Sequence, residues 1–108
     1  MKKTAARLDR VEVVLHRLGI HREIEDMLCR QFGVLLKDVV SRSRGRRHVA
    51  EARHEVMHVL RSRFHWSYPA IGDLLGRDHT SVMHALQKRE MRMDRARPRE
   101  EEEPCKRT

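Results

Sequence analysis

Apolar residues fall at helical spacing in one segment of this chain after another. Leu8, Val11, Val14, Leu15 and Leu18 recur with charged residues between them. That pattern predicts an amphipathic helix ending at Gly19. Ile24, Met27, Leu28 and Gln31 predict a second helix, stopping before Phe32-Gly33-Val34. In 49–63, Val49, Ala52, Val56, Val59, Leu60 and Arg63 share one side at 100° per residue, predicting a third and longer helix. Between these lies LLKDVV, residues 35–40, an apolar run short enough to be either helical or extended. Aromatic residues make up only 4% of the chain, so its core must be small and aliphatic. The expected fold class is all-α.

The end of the chain has a more specific layout. Ser67 suits an N-cap, Pro69 suits the first turn, and residues 70–75 read as a short helix broken by Gly76. Asp78 can cap a further helix from His79 to Met93. A short helix, a tight glycine-containing turn and a second helix give helix-turn-helix spacing. The expected organisation is an N-terminal helix over 1–19, a domain over 20–93 and a disordered charged tail over 94–108, where prolines and an acidic block replace the apolar period.

Charge narrows the partners. The 24 Lys and Arg outnumber the 16 Asp and Glu, for a net charge of +8, and a chain this basic suits a polyanion. Cys29 and Cys105 lie far apart and build no disulfide framework or metal cluster. No stretch resembles a signal peptide or approaches transmembrane length, so a cytoplasmic protein without a membrane partner is expected.

One motif points towards enzymology. Residues 54–58, HEVMH, fit the H-E-x-x-H pattern in which two imidazoles hold zinc and the glutamate activates water. A third ligand is hard to find. The positions where one extended form of the motif carries Gly and His are Arg61 and Phe64, and His65 misses by one residue. Glu90 and Asp94 have usable spacing but stand among Arg89, Arg92 and Arg95, which disfavour a dication. The helical wheel puts His54 and His58 opposite the apolar face of 49–63, on the exposed side. The expectation is therefore no metal, no cofactor and no catalysis, with a zinc hydrolase as the minor alternative. Neither a phosphate-binding glycine loop nor a G-x-S-x-G elbow is present.

Residues 76–85, GRDHTSVMHA, carry more information. On the expected last helix, Val82, Ala85, Leu86, Arg89 and Met93 share the face that packs inward. The helix start and the other face present Arg77, Asp78, His79, Thr80, Ser81 and His84. Asp78 can accept from a cytosine amino group, Thr80 can lay its methyl on a thymine methyl, and His79 can reach a base edge. Arg77, Ser81 and His84 suit phosphates near a helix N-terminus.

This stretch resembles G-R-D-H-T-T-V-x-H-A, the signature of the C-terminal DNA-binding domain of the bacterial replication initiator DnaA, with Ser81 for one Thr. SYPAIGDLL at 67–75 resembles that family's S-L-P-E-I-G segment. SRSRGRRHVAEAR at 41–53 resembles its basic loop and following helix, and IEDMLCRQFGVLLKDVV at 24–40 its opening helix. The resemblance covers residues 20–92. It implies a small Trp-repressor-like helix-turn-helix domain bound to double-stranded DNA at DnaA boxes close to TTATCCACA. Asp78, His79 and Thr80 would read bases in the major groove. Arg53, His54, Arg77, Ser81 and His84 would lie near phosphates. One of the loop arginines Arg42, Arg44, Arg46 and Arg47 would enter the minor groove, whose strong negative potential in A/T-rich DNA attracts it.

The chain also departs from that family. Its usual A-R-P-R-Q is Ala50-Glu51-Ala52-Arg53-His54 here, so Glu51 places a repelling charge near the backbone. The basic loop is one residue longer, and the usual Gly-Gly of the turn is Leu75-Gly76, a turn one residue shorter. The family's ATPase module has no counterpart in 108 residues, so the expected role is regulatory. The protein would occupy boxes, compete with the initiator or control transcription, as a monomer, since an asymmetric box needs no dimer. The competing expectations are a repressor reading an unrelated operator and a non-specific nucleic-acid or protein-interaction module.

Overall fold

The computed structural model describes residues 2–41 and 47–96. Among the described residues there are six α-helices and no strand. They are α1 (Lys2–Arg17), α2 (His21–Met27), α3 (Leu36–Val40), α4 (Arg47–Phe64), α5 (Tyr68–Leu75) and α6 (His79–Ala96). α2 runs on into a π-helical turn, Leu28–Phe32, that ends at Gly33.

α1 stops where its periodicity says it should. The Gly19 N–H donates to the His16 carbonyl and the Ile20 N–H to the Leu15 carbonyl, both at 3.0 Å. Those paired bonds satisfy carbonyls that the helix end would leave open. Val11 and Leu15 are fully buried, and α1 touches α2, α3 and α5. The N-terminal helix therefore shares one core with the segment that follows it.

LLKDVV is helical. The Asp38 carboxylate accepts the Leu35 N–H at 3.0 Å, closing the first turn, and Leu36, Val39 and Val40 are all buried. α4 is the central element, touching α3, α5, α6 and the π-helical turn, with Ala52, Val56, Met57 and Leu60 in the core. It starts at Arg47, two residues before the expected start, and ends at Phe64. Its stop is His65, a left-handed residue with φ 58°, after which the Trp66 N–H reaches back to the Leu60 carbonyl at 3.2 Å. Arg61 ties this corner to α5. Its Nη1 donates to the Trp66 carbonyl at 2.9 Å, and its guanidinium lies 4.3 Å from the Tyr68 ring centroid.

Two expectations need correction. α6 continues to Ala96, so residues 94–96 are helix and not tail. Arg95 and Ala96 propagate a helix well without an apolar face to bury, so the loss of periodicity there did not mark an end. Met93, expected on the inward face, is 39% exposed, because α6 has run past the core by that point. The rest of the expected tail, and Arg42, Arg44 and Arg46 of the basic loop, lie outside the described residues. No helix among the described residues is long and apolar enough to cross a membrane.

Leu15→Ala tests whether α1 is part of the cooperative core. Urea unfolding is expected to show a loss of about 2–5 kcal/mol, the range for deleting a fully buried leucine. A loss below about 0.5 kcal/mol, typical of a surface change, would detach α1 from that core.

Candidate nucleic-acid interface

The geometry begins at the turn between α5 and α6. Ser67 Oγ accepts the Ala70 N–H at 3.2 Å, and Pro69 sits in the first turn, so α5 starts as its sequence predicts. Gly76 ends α5 in the left-handed conformation, φ 72°, which a side chain would resist. The Arg77 N–H then donates to the Gly72 carbonyl at 2.7 Å. Gly72 is a positioning residue that the sequence reading missed. A Cβ there would collide with the Arg77 carbonyl oxygen, so the chain passes over α5 only because Gly72 has no side chain.

This turn projects the start of α6. Asp78, His79, Thr80 and Ser81 are exposed together, with His84 exposed one turn along from Thr80. Asp78 Oδ1 and His79 Nδ1 stand 3.9 Å apart. The opposite face holds Val82 and Ala85 in the core, with Leu86 packed against it. The three residues expected to read bases thus share one protruding end.

Beside them is a small cavity, about 160 Å³, lined by Arg53, His54, Met57, Arg77, Ser81 and Ala85. Arg53 is only 7% exposed. Its Nε donates to the Val39 carbonyl at 2.9 Å, while Nη2 is buried and has no hydrogen-bond partner among the described residues. Burial, and then repulsion from Arg77, lowers its pKa to about 10, so it stays cationic at neutral pH. Arg77 Nη2 donates to the Ser41 carbonyl at 3.3 Å, linking the recognition end to the base of the basic loop. The structure therefore gathers four of the five expected phosphate contacts, Arg53, His54, Arg77 and Ser81, around one cavity. Of the loop arginines only Arg47 is described; it opens α4 with its side chain 91% exposed, 3.8 Å from Glu51.

A second, larger cavity of about 360 Å³ adjoins His54 on the α4–α6 side. It is lined by Arg47, Lys88, Arg92 and Arg95, with Glu51 among them. Glu51 Oε2 lies 3.9 Å from Arg92 Nε, so the acid expected to repel phosphate is instead shared between two arginines. The sequence reading gave no role to Lys88, Arg92 or Arg95, because their convergence with Arg47 requires α4 and α6 to lie side by side.

The zinc reading of HEVMH fails on contacts. Both oxygens of Glu55 are engaged by Arg89, at 2.8 Å from Nε and 3.0 Å from Nη2, in a half-buried bidentate pair that joins α4 to α6. A glutamate so held is no base for a metal-bound water. His58 Nε2 stands 3.5 Å from Ser62 Oγ on its own helix. The exposed placement expected for these histidines is also corrected: both are half-buried, because α6 covers the side of α4 that a lone helical wheel leaves open. Burial, followed by the charges of Arg92, Arg53 and Lys88, lowers the His54 pKa to about 4 against a partial pull from Glu51. Burial and Arg89 lower that of His58.

His54 is therefore uncharged at neutral pH and refuses a proton that the unfolded chain accepts near its ordinary pKa of 6.5. Its contribution to stability is whole above that value and drains away as pH falls towards 4. Melting curves between pH 7 and 4.5 should show a smaller fall in Tm for His54→Gln than for the parent chain. Equal falls would place the imidazole in solvent.

The fold and the site have counterparts among known proteins. A family profile described as "Bacterial dnaA protein helix-turn-helix" matches residues 21–88. The chromosomal replication initiator protein DnaA of Caldanaerobacter subterraneus subsp. tengcongensis is 35% identical over 86 residues, covering 78% of this chain and 19% of that protein. The DnaA of Gloeobacter violaceus is 40% identical over 66 residues, 60% of this chain and 15% of its own. That of Synechococcus sp. (strain JA-2-3B'a(2-13)) is 35% identical over 66 residues, 60% of this chain and 14% of its own. The chain thus spans about a fifth, or less, of the length of these relatives. No solved structure matches it significantly. With its helix-turn-helix built on Gly72 and Gly76 and the profile spanning α2 to α6, the chain belongs to the bacterial DnaA helix-turn-helix family.

Proposed function

We propose that this protein binds double-stranded DNA sequence-specifically at sites resembling the DnaA box. The observation that carries the reading is the paired arrangement at the start of α6. Three exposed residues with base-reading chemistry, Asp78, His79 and Thr80, stand beside a cavity lined by two guanidiniums and a hydroxyl. Arg53 and Arg77 repel one another there, and Arg53 Nη2 is a buried donor with no acceptor among the described residues. A phosphate oxygen entering that cavity satisfies the donor and relieves the repulsion. Neutral His54 adds a hydrogen-bonding group without a charge. The basic cavity of Arg47, Lys88, Arg92 and Arg95 extends the positive surface along the α4–α6 side.

The proposed role is regulatory and requires no catalysis by these residues. The protein occupies boxes in competition with an initiator, or controls transcription from them, one copy to each asymmetric site in the cytoplasm. A second reading, a repressor with an unrelated operator, is favoured by one feature. Gly76 alone stands where the family resemblance expects two glycines, and a turn of different length aims α6 differently.

Fluorescence anisotropy on a labelled duplex containing TTATCCACA and on a scrambled duplex separates the two readings. Tighter binding to the box by about a hundredfold or more is expected, within the usual span of specific over non-specific affinity. Equal binding would overturn the box assignment. Asp78→Ala and Thr80→Ala should each remove about 1–3 kcal/mol of discrimination. Arg53→Ala should weaken both duplexes alike. With about 6 phosphate contacts, log K should fall against log salt with a slope of about −5.

A further inference from the structure

A set of metal-ligating groups lies outside the helix-turn-helix. His21, in the first turn of α2, directs Nε2 towards two carboxylates. Glu25 follows one turn later on the same helical face, its Oε2 3.6 Å away. Glu12 comes from α1, across the Gly19 turn, its Oε2 3.9 Å away. The three donor atoms all lie within 4.8 Å of one another.

Those separations are too long for hydrogen bonds. The His21 side chain is only 15% exposed, and its buried Nε2 has no hydrogen-bond partner among the described residues. Its ring is stacked on His16, centroids 3.9 Å apart and planes within 12°, which fixes the direction of Nε2. A buried ring nitrogen without a hydrogen bond is destabilising, and so is the approach of two carboxylates. A cation among the three atoms removes both penalties.

We propose that Glu12, His21 and Glu25 bind a divalent transition-metal ion, zinc foremost. Ligand atoms about 2.1 Å from a tetrahedral zinc stand about 3.4 Å apart, so only a small closure of the observed positions is needed. The two glutamate side chains, 40% and 49% exposed, have the freedom to make it. The imidazole selects against calcium and magnesium, which take oxygen ligands. Both carboxylates also line a cleft of about 410 Å³ with Asp26, Cys29 and Lys37, so the fourth position opens towards solvent. The ion staples α1 to α2. α1 in turn reaches the helix-turn-helix through the Arg10–Asp73 pair at 2.7 Å and through Arg7, packed against Gly76.

The test uses the full chain, untagged and stripped with chelator, titrated with zinc chloride by calorimetry and followed by thermal melting. One equivalent should bind and raise Tm by several degrees, and cobalt(II) should give a visible band of tetrahedral character. His21→Ala and Glu25→Gln should each weaken zinc binding by about tenfold or more and remove the Tm rise. His58→Ala, which breaks the i,i+4 pair of His54 and His58 on α4, should leave both intact. Absence of binding would overturn the proposal. So would binding that survives Glu25→Gln and disappears with His58→Ala, which would put the ion on α4. If His21→Ala does not fold, Glu25→Gln decides alone, since that side chain is half-exposed.

Discussion

The close approach of the Arg77 carbonyl to Gly72 sets the geometry on which the proposed function rests. A helix-turn-helix is useful only if its second helix leaves the core at a defined angle. Here the angle is held by a backbone hydrogen bond onto Gly72 and by the left-handed Gly76 that permits it. Once the chain has crossed α5 in this way, Val82 and Ala85 fall into the core. Helical periodicity then leaves Asp78, His79 and Thr80 facing outward. Base-reading chemistry and core packing are two faces of the same eighteen-residue helix.

A second constraint is the junction of α4 with α6. The Glu55–Arg89 pair, both side chains less than a fifth exposed, uses charge to fix two helices side by side. Breaking one member of such a pair leaves the other buried and unpaired, so the pairing is strongly specified. The junction also explains why HEVMH is not a metalloprotease motif. The glutamate is held by the arginine, and burial together with neighbouring cations keeps the first histidine neutral. Among the described residues, the groups best placed to share a metal ion are Glu12, His21 and Glu25, which come from two helices that meet across a turn.

Much of this was legible in the order of residues. The stop at Gly19, the cap at Ser67 and the break at Gly76 are local signals whose physics is local: an N-cap oxygen, or a glycine where φ is positive. The inward and outward faces of α6 followed from the 3.6-residue period, at least as far as Arg89. The GRDHTSVMHA stretch, by its resemblance, named the residues that the fold brings to one end of α6. Less legible was LLKDVV, since a six-residue run is too short for its period to separate helix from strand; burial of Leu36, Val39 and Val40 together decides for helix. The stop at His65 was invisible because histidine gives no reliable left-handed signal.

The sequence by itself determined most of the helices, the cap at Ser67 and the chemistry displayed at the start of α6, because these depend on neighbours within a turn or two. Only the tertiary structure decided the electrostatic state of that chemistry. Arg53, expected near phosphate, is buried against the Val39 carbonyl, and His54 reads as exposed but is covered by α6. A helical wheel knows one helix, whereas burial and the repulsion between Arg53 and Arg77 depend on which other helices arrive, and from where.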